Sequence, residues 1–352
     1  MSTKTPHIAE DPTHSPDGRP LARVQYVEPD TTVDPWDCNY FGIPRAKEVI
    51  HFNQPLNDLR PSIFTPSNHY QLSTHGFTAL KHKSALDIVG GEAYDRIKAY
   101  DVLIPEFKDI LKSVTGAKTV HVLGLGMRLK EADPDTKPLR ERDTNAPPER
   151  CGIDLPVKSM DMTVPYMGGY EGGNKIGPAR SVHIDYSPDG ARQILRHVRR
   201  DVIADTKDIV EAEDAAVTAG QDIALYSGRR YAMFSVWRAL KKVERDPVAV
   251  CDPNSIDFDR DLVEHVNKQP GDEQGDYLAG LSMLKGDHAE SQKWYWISDQ
   301  DVDEVFIFQF YDSYAIREGR PWGAPHGGVT LLGKEQGEPR HSVEARCIAV
   351  FD

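Results

Sequence analysis

Ser181-Val182-His183-Ile184-Asp185-Tyr186 is the stretch on which the reading of this chain turns. Alternate residues of a strand share a face, so His183 and Asp185 project to one side while Val182 and Ile184 pack on the other. A His-x-Asp tripeptide by itself is common, and reads equally as a hydrogen-bonded pair at a strand end. Its weight comes from far downstream, where His326 is followed by Arg340-His341-Ser342. Two imidazoles and one carboxylate make a facial set of ligands that leaves positions open on a ferrous ion.

The segment Arg340 to Phe351 reads as a last strand with Arg340, Ser342, Glu344 and Arg346 on one face and Val343, Ala345 and Cys347 on the other. Polar side chains in such a row are costly to bury unless they bind something. The planar fork of an arginine suits a carboxylate, and a serine two residues on adds a hydroxyl to the same oxygen. Arg340 and Ser342 are therefore the expected clamp for the distal carboxylate of a 2-oxo acid. Arg346 lies roughly 20 Å further along at about 3.3 Å per residue. It reaches a substrate carboxylate, or pairs with Glu344 or a carboxylate on a neighbouring strand. Arg238, beside Trp237, divides in the same way between a pocket role and packing.

Around the central stretch the chain is read by periodicity. Gly168 to Lys175 resembles a phosphate loop but has Asn174 where the lysine is required, and is expected to be a glycine-rich flap. Pro188-Asp189-Gly190 is expected to turn into a helix, Ala191 to Ile203, whose arginines 192, 196, 199 and 200 form a solvated face. An acidic helix follows at 207–219. Strands are expected at 119–129, 230–240, 248–252, 293–297 and 304–311, the last apolar on nearly both faces, as in a double sheet. Residues 92–114 carry helical periodicity. Segments 21–80 and 267–291 read as short or polar pieces broken by turns, and 132–158 as a proline-rich surface loop. Residues 1–20 read as a disordered tail, and 21–352 as a single domain with a helical N-terminal third and a helical insertion around 190–220.

Composition bounds the function. At 352 residues, 39% hydrophobic and 28% charged, the chain can bury a sizeable core. A net charge of −13 argues against nucleic acid. No apolar run approaches the roughly eighteen residues of a membrane span, and the N-terminus lacks an apolar signal core, so a cytoplasmic setting is expected. The four cysteines form no C-x-x-C pair and read as reduced thiols.

The chain resembles a group of non-haem iron(II)/2-oxoglutarate-dependent oxygenases related to the cephalosporin 7α-methoxylation protein, whose fungal members are named AsaB-like hydroxylase/desaturases. The resemblance is carried by Ser73-Thr74-His75-Gly76-Phe77, Val182-His183-Ile184-Asp185, Val236-Trp237-Arg238, Val250-Cys251-Asp252, Trp294-Tyr295-Trp296, Pro325-His326 and Arg340-His341-Ser342-Val343-Glu344-Ala345-Arg346. It departs at Gly327-Gly328, where bulkier residues are expected, and at Ala239, where a proline is usual. It implies a mainly β fold with flanking helices, a distorted double-stranded β-helix (jelly roll, cupin-like). His183, Asp185 and His326 would be iron ligands, and Arg340 with Ser342 the 2-oxoglutarate clamp. Dioxygen would be the second co-substrate. The implied reaction is oxidation of a small specialised metabolite, a small amino acid included, by hydroxylation, desaturation or oxidative ring closure. Two other readings stand beside it: a non-catalytic jelly-roll protein that retains a metal, and a zinc-dependent hydrolase, for which no His-Glu-x-x-His is present.

Overall fold

The computed structural model describes residues 13–352 except 31, 33, 38–45, 130–162, 171–175 and 272–274. Its strands, in chain order, begin with β1 (Leu21–Pro29), β2 (Ala46–Asp58), β3 (Phe77–Lys81), β4 (Thr119–Arg128) and β5 (Tyr166–Gly168). The middle of the chain supplies β6 (His183–Ile184), β7 (Tyr231–Ala239), β8 (Val248–Cys251), β9 (Leu262–Gln269) and β10 (Tyr277–Leu284). The last are β11 (Trp294–Trp296), β12 (Glu304–Asp312), β13 (His326–Gly328), β14 (Thr330–Leu331) and β15 (Ser342–Val350). They form a nine-stranded sheet, in the order β14-β1-β2-β11-β8-β13-β6-β10-β9, and a six-stranded sheet, β3-β12-β7-β15-β4-β5.

Two layers of core explain why β7 and β12 are buried at every position. On the outer face of the six-stranded sheet, Val343, Ala345, Cys347 and Ala349 of β15 meet Phe107 and Leu111 of the helix Ile104–Thr115. Full burial of side chains such as Phe107 and Leu111 contributes roughly 2 kcal/mol each. On the inner face, Tyr231, Met233, Ile348 and Val350 pack with Ile184 and Tyr186 and with Ala191, Ile194 and Leu195 of the helix Pro188–His197. The site lies in this inner layer, where β6 and β13 of one sheet face β7, β15 and β4 of the other.

Several expectations are corrected. The helix begins at Pro188 itself, because Ser187 caps it by accepting from the Gly190 N–H and proline is at home in a first turn. Of its arginines only Arg200 is exposed: Arg192, Arg196 and Arg199 are packed inward, with Arg196 paired to the buried Glu213 at 2.6 Å and Arg199 donating to the Val122 carbonyl. The polar stretch 267–291 contains most of the β9–β10 hairpin, in which His265, Asn267 and Gln269 are buried on an edge strand. The first third holds the long β1–β2 pairing as well as helix. Of the expected tail, residues 13–20 close a turn through Ser15, Gly18 and Arg19, and residues 1–12 lie outside the described residues. The proline-rich loop 132–158 and most of the glycine-rich flap lie outside the described residues. Among the described residues, no helix is long and apolar enough to cross a membrane.

Candidate metal centre and its anion pocket

Strands β6 and β13 are hydrogen-bonded neighbours, and His183 sits directly across from His326. Cross-strand partners share a face, so two histidines far apart in sequence become adjacent. Each uses Nδ1 on a backbone carbonyl two residues upstream, His183 on Ser181 at 2.7 Å and His326 on Ala324 at 3.1 Å. A carbonyl only accepts, so Nδ1–H donates and each Nε2 keeps its lone pair. Both Nε2 atoms face Asp185, at 3.4 Å from Oδ1 for His183 and 3.8 Å from Oδ2 for His326. Ligand atoms of the three residues all lie within 4.8 Å of one another.

The electrostatics favour a neutral imidazole beside a charged carboxylate. Burial pushes His326 down to about 4. For Asp185, burial alone would raise the carboxyl, but Arg346 and the two histidines outweigh it and hold it well below the carboxylate range. Arg346 Nη2 lies 2.5 Å from Asp185 Oδ1. That contact is ionic without hydrogen-bond alignment, so Oδ1 remains buried with no aligned donor. On the other oxygen, Ser235 Oγ lies 3.0 Å from Oδ2 and also 2.6 Å from Glu344 Oε1. Its single proton serves one of the two carboxylates at a time.

Across the cavity, Arg340 is almost wholly buried, with its guanidinium over the Trp237 ring at 5.4 Å. Its Nη1 donates to the Asp246 carbonyl at 2.7 Å. Asp246 adopts a left-handed φ of 57°, unusual for a residue with a side chain, and its carboxylate is tied to Arg180 at 2.7 Å. That turn fixes one edge of the Arg340 fork. Arg340 Nε and Ser342 Oγ are buried without a partner. Unmet buried donors cost about 1–3 kcal/mol each, so the pair marks a place shaped for an acceptor.

The cavity has His183 and His326 in one wall and Arg128, Arg340, Glu344 and Arg346 in the other. Gly327 and Gly328 are small because residues 178–180 cross them: a Cβ on Gly328 would stand 2.8 Å from Pro178 Cβ. Arg346 is paired with Asp185 and not with Glu344. Arg238 is not brought to the group. It points from the opposite face of β7, donating to the His82 and Val302 carbonyls. Ser235 and Arg128 were missed. Arg128 shared a face with Gly124 and Gly126, two side-chain-free positions that signalled an open inner surface on β4.

These residues fit a ferrous ion and a 2-oxo acid: two imidazole lone pairs and a buried, charged carboxylate suit the metal, and the Arg340 and Ser342 donors without a partner among the described residues suit a carboxylate. A family model described as Oxidoreductase/YMDC permease-like domain matches residues 25–351. The chain is 33% identical to the gibberellin cluster GA4 desaturase of Gibberella fujikuroi, over 88% of this chain and 90% of that one. It is 27% identical to the alpha-ketoglutarate-dependent dioxygenase tstK of Talaromyces stipitatus, over 96% and 99%. The solved structure of the iron and alpha-ketoglutarate-dependent endoperoxidase NvfI superposes with a TM-score of 0.56 at 23% identity, covering 94% of this chain and 97% of that one. The two curled sheets are thus the expected double-stranded β-helix.

Proposed function

Because the chain belongs to the oxidoreductase family matched across residues 25–351, whose members include iron(II)/2-oxoglutarate-dependent dioxygenases and desaturases, we propose that His183, Asp185 and His326 hold its iron and that Arg340 and Ser342 hold the distal carboxylate of 2-oxoglutarate. The protein is an iron(II)/2-oxoglutarate-dependent oxygenase acting on a small molecule of specialised metabolism. The observation that carries the residue assignment is that ligand atoms of His183, Asp185 and His326 lie within 4.8 Å of one another, with both histidines in the wall of the cavity that Arg340 also lines, while Arg340 Nε and Ser342 Oγ are buried without a hydrogen-bond partner among the described residues.

Iron and 2-oxoglutarate, when bound, supply the activation of dioxygen that oxidises the substrate, by hydroxylation, desaturation or ring closure. The chain's own residues orient and exclude. The Ser181 and Ala324 carbonyls hold both imidazoles in one tautomer, which fixes which nitrogen is offered. Arg346 and Ser235 hold the two oxygens of Asp185. Trp237 and Phe308 line the cavity beside Arg340 and His326 and keep water out. A metal-retaining binding protein or a zinc hydrolase gives no account of the buried Arg340 in that cavity wall. The free buried Cys251 and Cys347 fit a reducing, cytoplasmic setting.

The test is anaerobic titration with iron(II) and 2-oxoglutarate, followed by succinate release on a substrate panel. His183→Ala, Asp185→Ala and His326→Ala are each expected to lose iron binding while keeping a native circular dichroism spectrum. Arg340→Ala should weaken 2-oxoglutarate binding by about 2–5 kcal/mol and Ser342→Ala by about 1 kcal/mol, with iron affinity retained in both. Full iron affinity in any ligand variant removes that residue from the assignment.

A further inference from the structure

Arg128, the last residue of β4, stands in the cavity wall with little to hold it. Its Nη1 donates to the Gly177 carbonyl at 2.9 Å, and among the described residues no carboxylate lies within ion-pair distance of it. Ser342 is directly opposite in the β15–β4 register, so the two side chains share a face. Arg340, two residues before Ser342 and just outside β15, lines the same cavity wall as Arg128.

Arg238 shows what a structural arginine looks like in this fold. It is fully buried, and its Nη atoms are fed by two carbonyls and the His82 ring, although its Nε, like that of Arg340, has no acceptor among the described residues. Arg128 is half-buried and has one carbonyl among the described residues. Burial first, then the charge of Arg128, push Arg340 down to about 9. Like charges in a poorly solvated wall repel with little screening. Glu344, in the same wall, offsets part of this repulsion by its charge without pairing directly with either arginine among the described residues. The arrangement is stable in proportion to how well an anion fills the space between the two arginines.

Resting on the assignment of 2-oxoglutarate to Arg340 and Ser342, we infer that Arg128 is the second arginine of that site, so that Arg128 and Arg340 bind the distal carboxylate of the 2-oxo dicarboxylic acid together. The inference is tested by calorimetric titration of 2-oxoglutarate into the anaerobic iron(II)-loaded protein, comparing wild type with Arg128→Gln, Arg128→Lys and Arg340→Gln. Arg128→Gln should weaken binding about fivefold or more, and Arg128→Lys by about twofold or more, because lysine keeps the charge and loses the fork. Melting without 2-oxoglutarate gives an independent readout. Arg128→Gln should melt at or above wild type, since a repulsion is relieved, and should gain less when 2-oxoglutarate is added. A smaller loss of affinity in Arg128→Gln, or a ligand-free variant that melts below wild type with affinity unchanged, makes Arg128 structural and overturns the inference. Arg128→Lys decides the matter if the glutamine variant does not fold, and unchanged affinity there also overturns it. Wild-type protein that fails to bind 2-oxoglutarate overturns the Arg340–Ser342 assignment and this inference with it, whereas loss in Arg340→Gln alone overturns only the role of Arg128.

Discussion

Arg346 shows how one contact redirects a residue's role. From strand alternation it was free to meet a substrate anion. In the fold its guanidinium lies against Asp185, which has burial working against its charge. Removing that cation leaves a buried carboxylate with less reason to stay ionised. Arg346→Gln is therefore expected to weaken iron(II) binding about tenfold or more, the usual cost of losing a group that orients a ligand. Arg346→Lys should restore part of it, and 2-oxoglutarate affinity of the iron-loaded form should change little. Iron affinity unchanged in Arg346→Gln, with substrate affinity lost, would return Arg346 to the substrate. The thiols make a second residue-scale prediction. Burial pushes Cys251 up to about 12 and raises Cys347 as well, so both remain protonated through pH 9. An exposed thiol, with a pKa of about 8.5, gains reactivity over pH 7–9. Peptide mapping after iodoacetamide treatment should find Cys251 and Cys347 unmodified across that range in native protein and modified once it is unfolded.

At the scale of elements, the position of Asp185 depends on the helix that starts three residues later. Pro188–His197 lies so close to β10 that a Cβ on Gly190 would stand 2.0 Å from the Gly280 carbonyl oxygen. Gly190→Ala must push helix and strand apart, at about 1–3 kcal/mol for overpacking. The urea midpoint should fall accordingly. Iron affinity should fall with it, because Ser187 and Asp185 belong to the same connection. A midpoint equal to wild type would mean the helix can move without cost. The irregularity in β4 is of the same kind. Between the pairs Arg346–Gly124 and Cys347–Val122 the strand carries an extra residue, Leu123, which changes the phase of its alternation. Val120 and Val122 face the outer core, and so do Leu125 and Met127. Arg128 thereby comes to the inner face opposite Ser342.

For the whole molecule, the site is a junction between two sheets whose strands come from both ends of the chain, and its ligands should tie them together. Anaerobic iron(II) with 2-oxoglutarate at about a hundred times its Kd should add about 2.7 kcal/mol to stability, seen as a higher melting temperature. Asp185→Ala should show no such gain, and an equal gain in that variant would place the ligands elsewhere. The sequence by itself determined the strand character of β4, β7, β8, β11, β12 and β15, because runs of apolar and aromatic residues are a local property. It also determined the His-x-Asp pair and the Arg-x-Ser face, because period-two alternation puts such residues together within one strand. It missed the β9–β10 hairpin and the long β1–β2 pair, whose polar and proline-containing stretches lack that local pattern. Only the tertiary structure decided which cation meets which anion: Arg346 with Asp185, Arg196 with Glu213, Arg238 with backbone carbonyls, and Arg128 across from Ser342. The reason is physical. Whether a charged side chain is solvated or buried, and what it then pairs with, depends on the strand or helix that packs opposite, and that partner lies tens to hundreds of residues away, beyond any local periodicity.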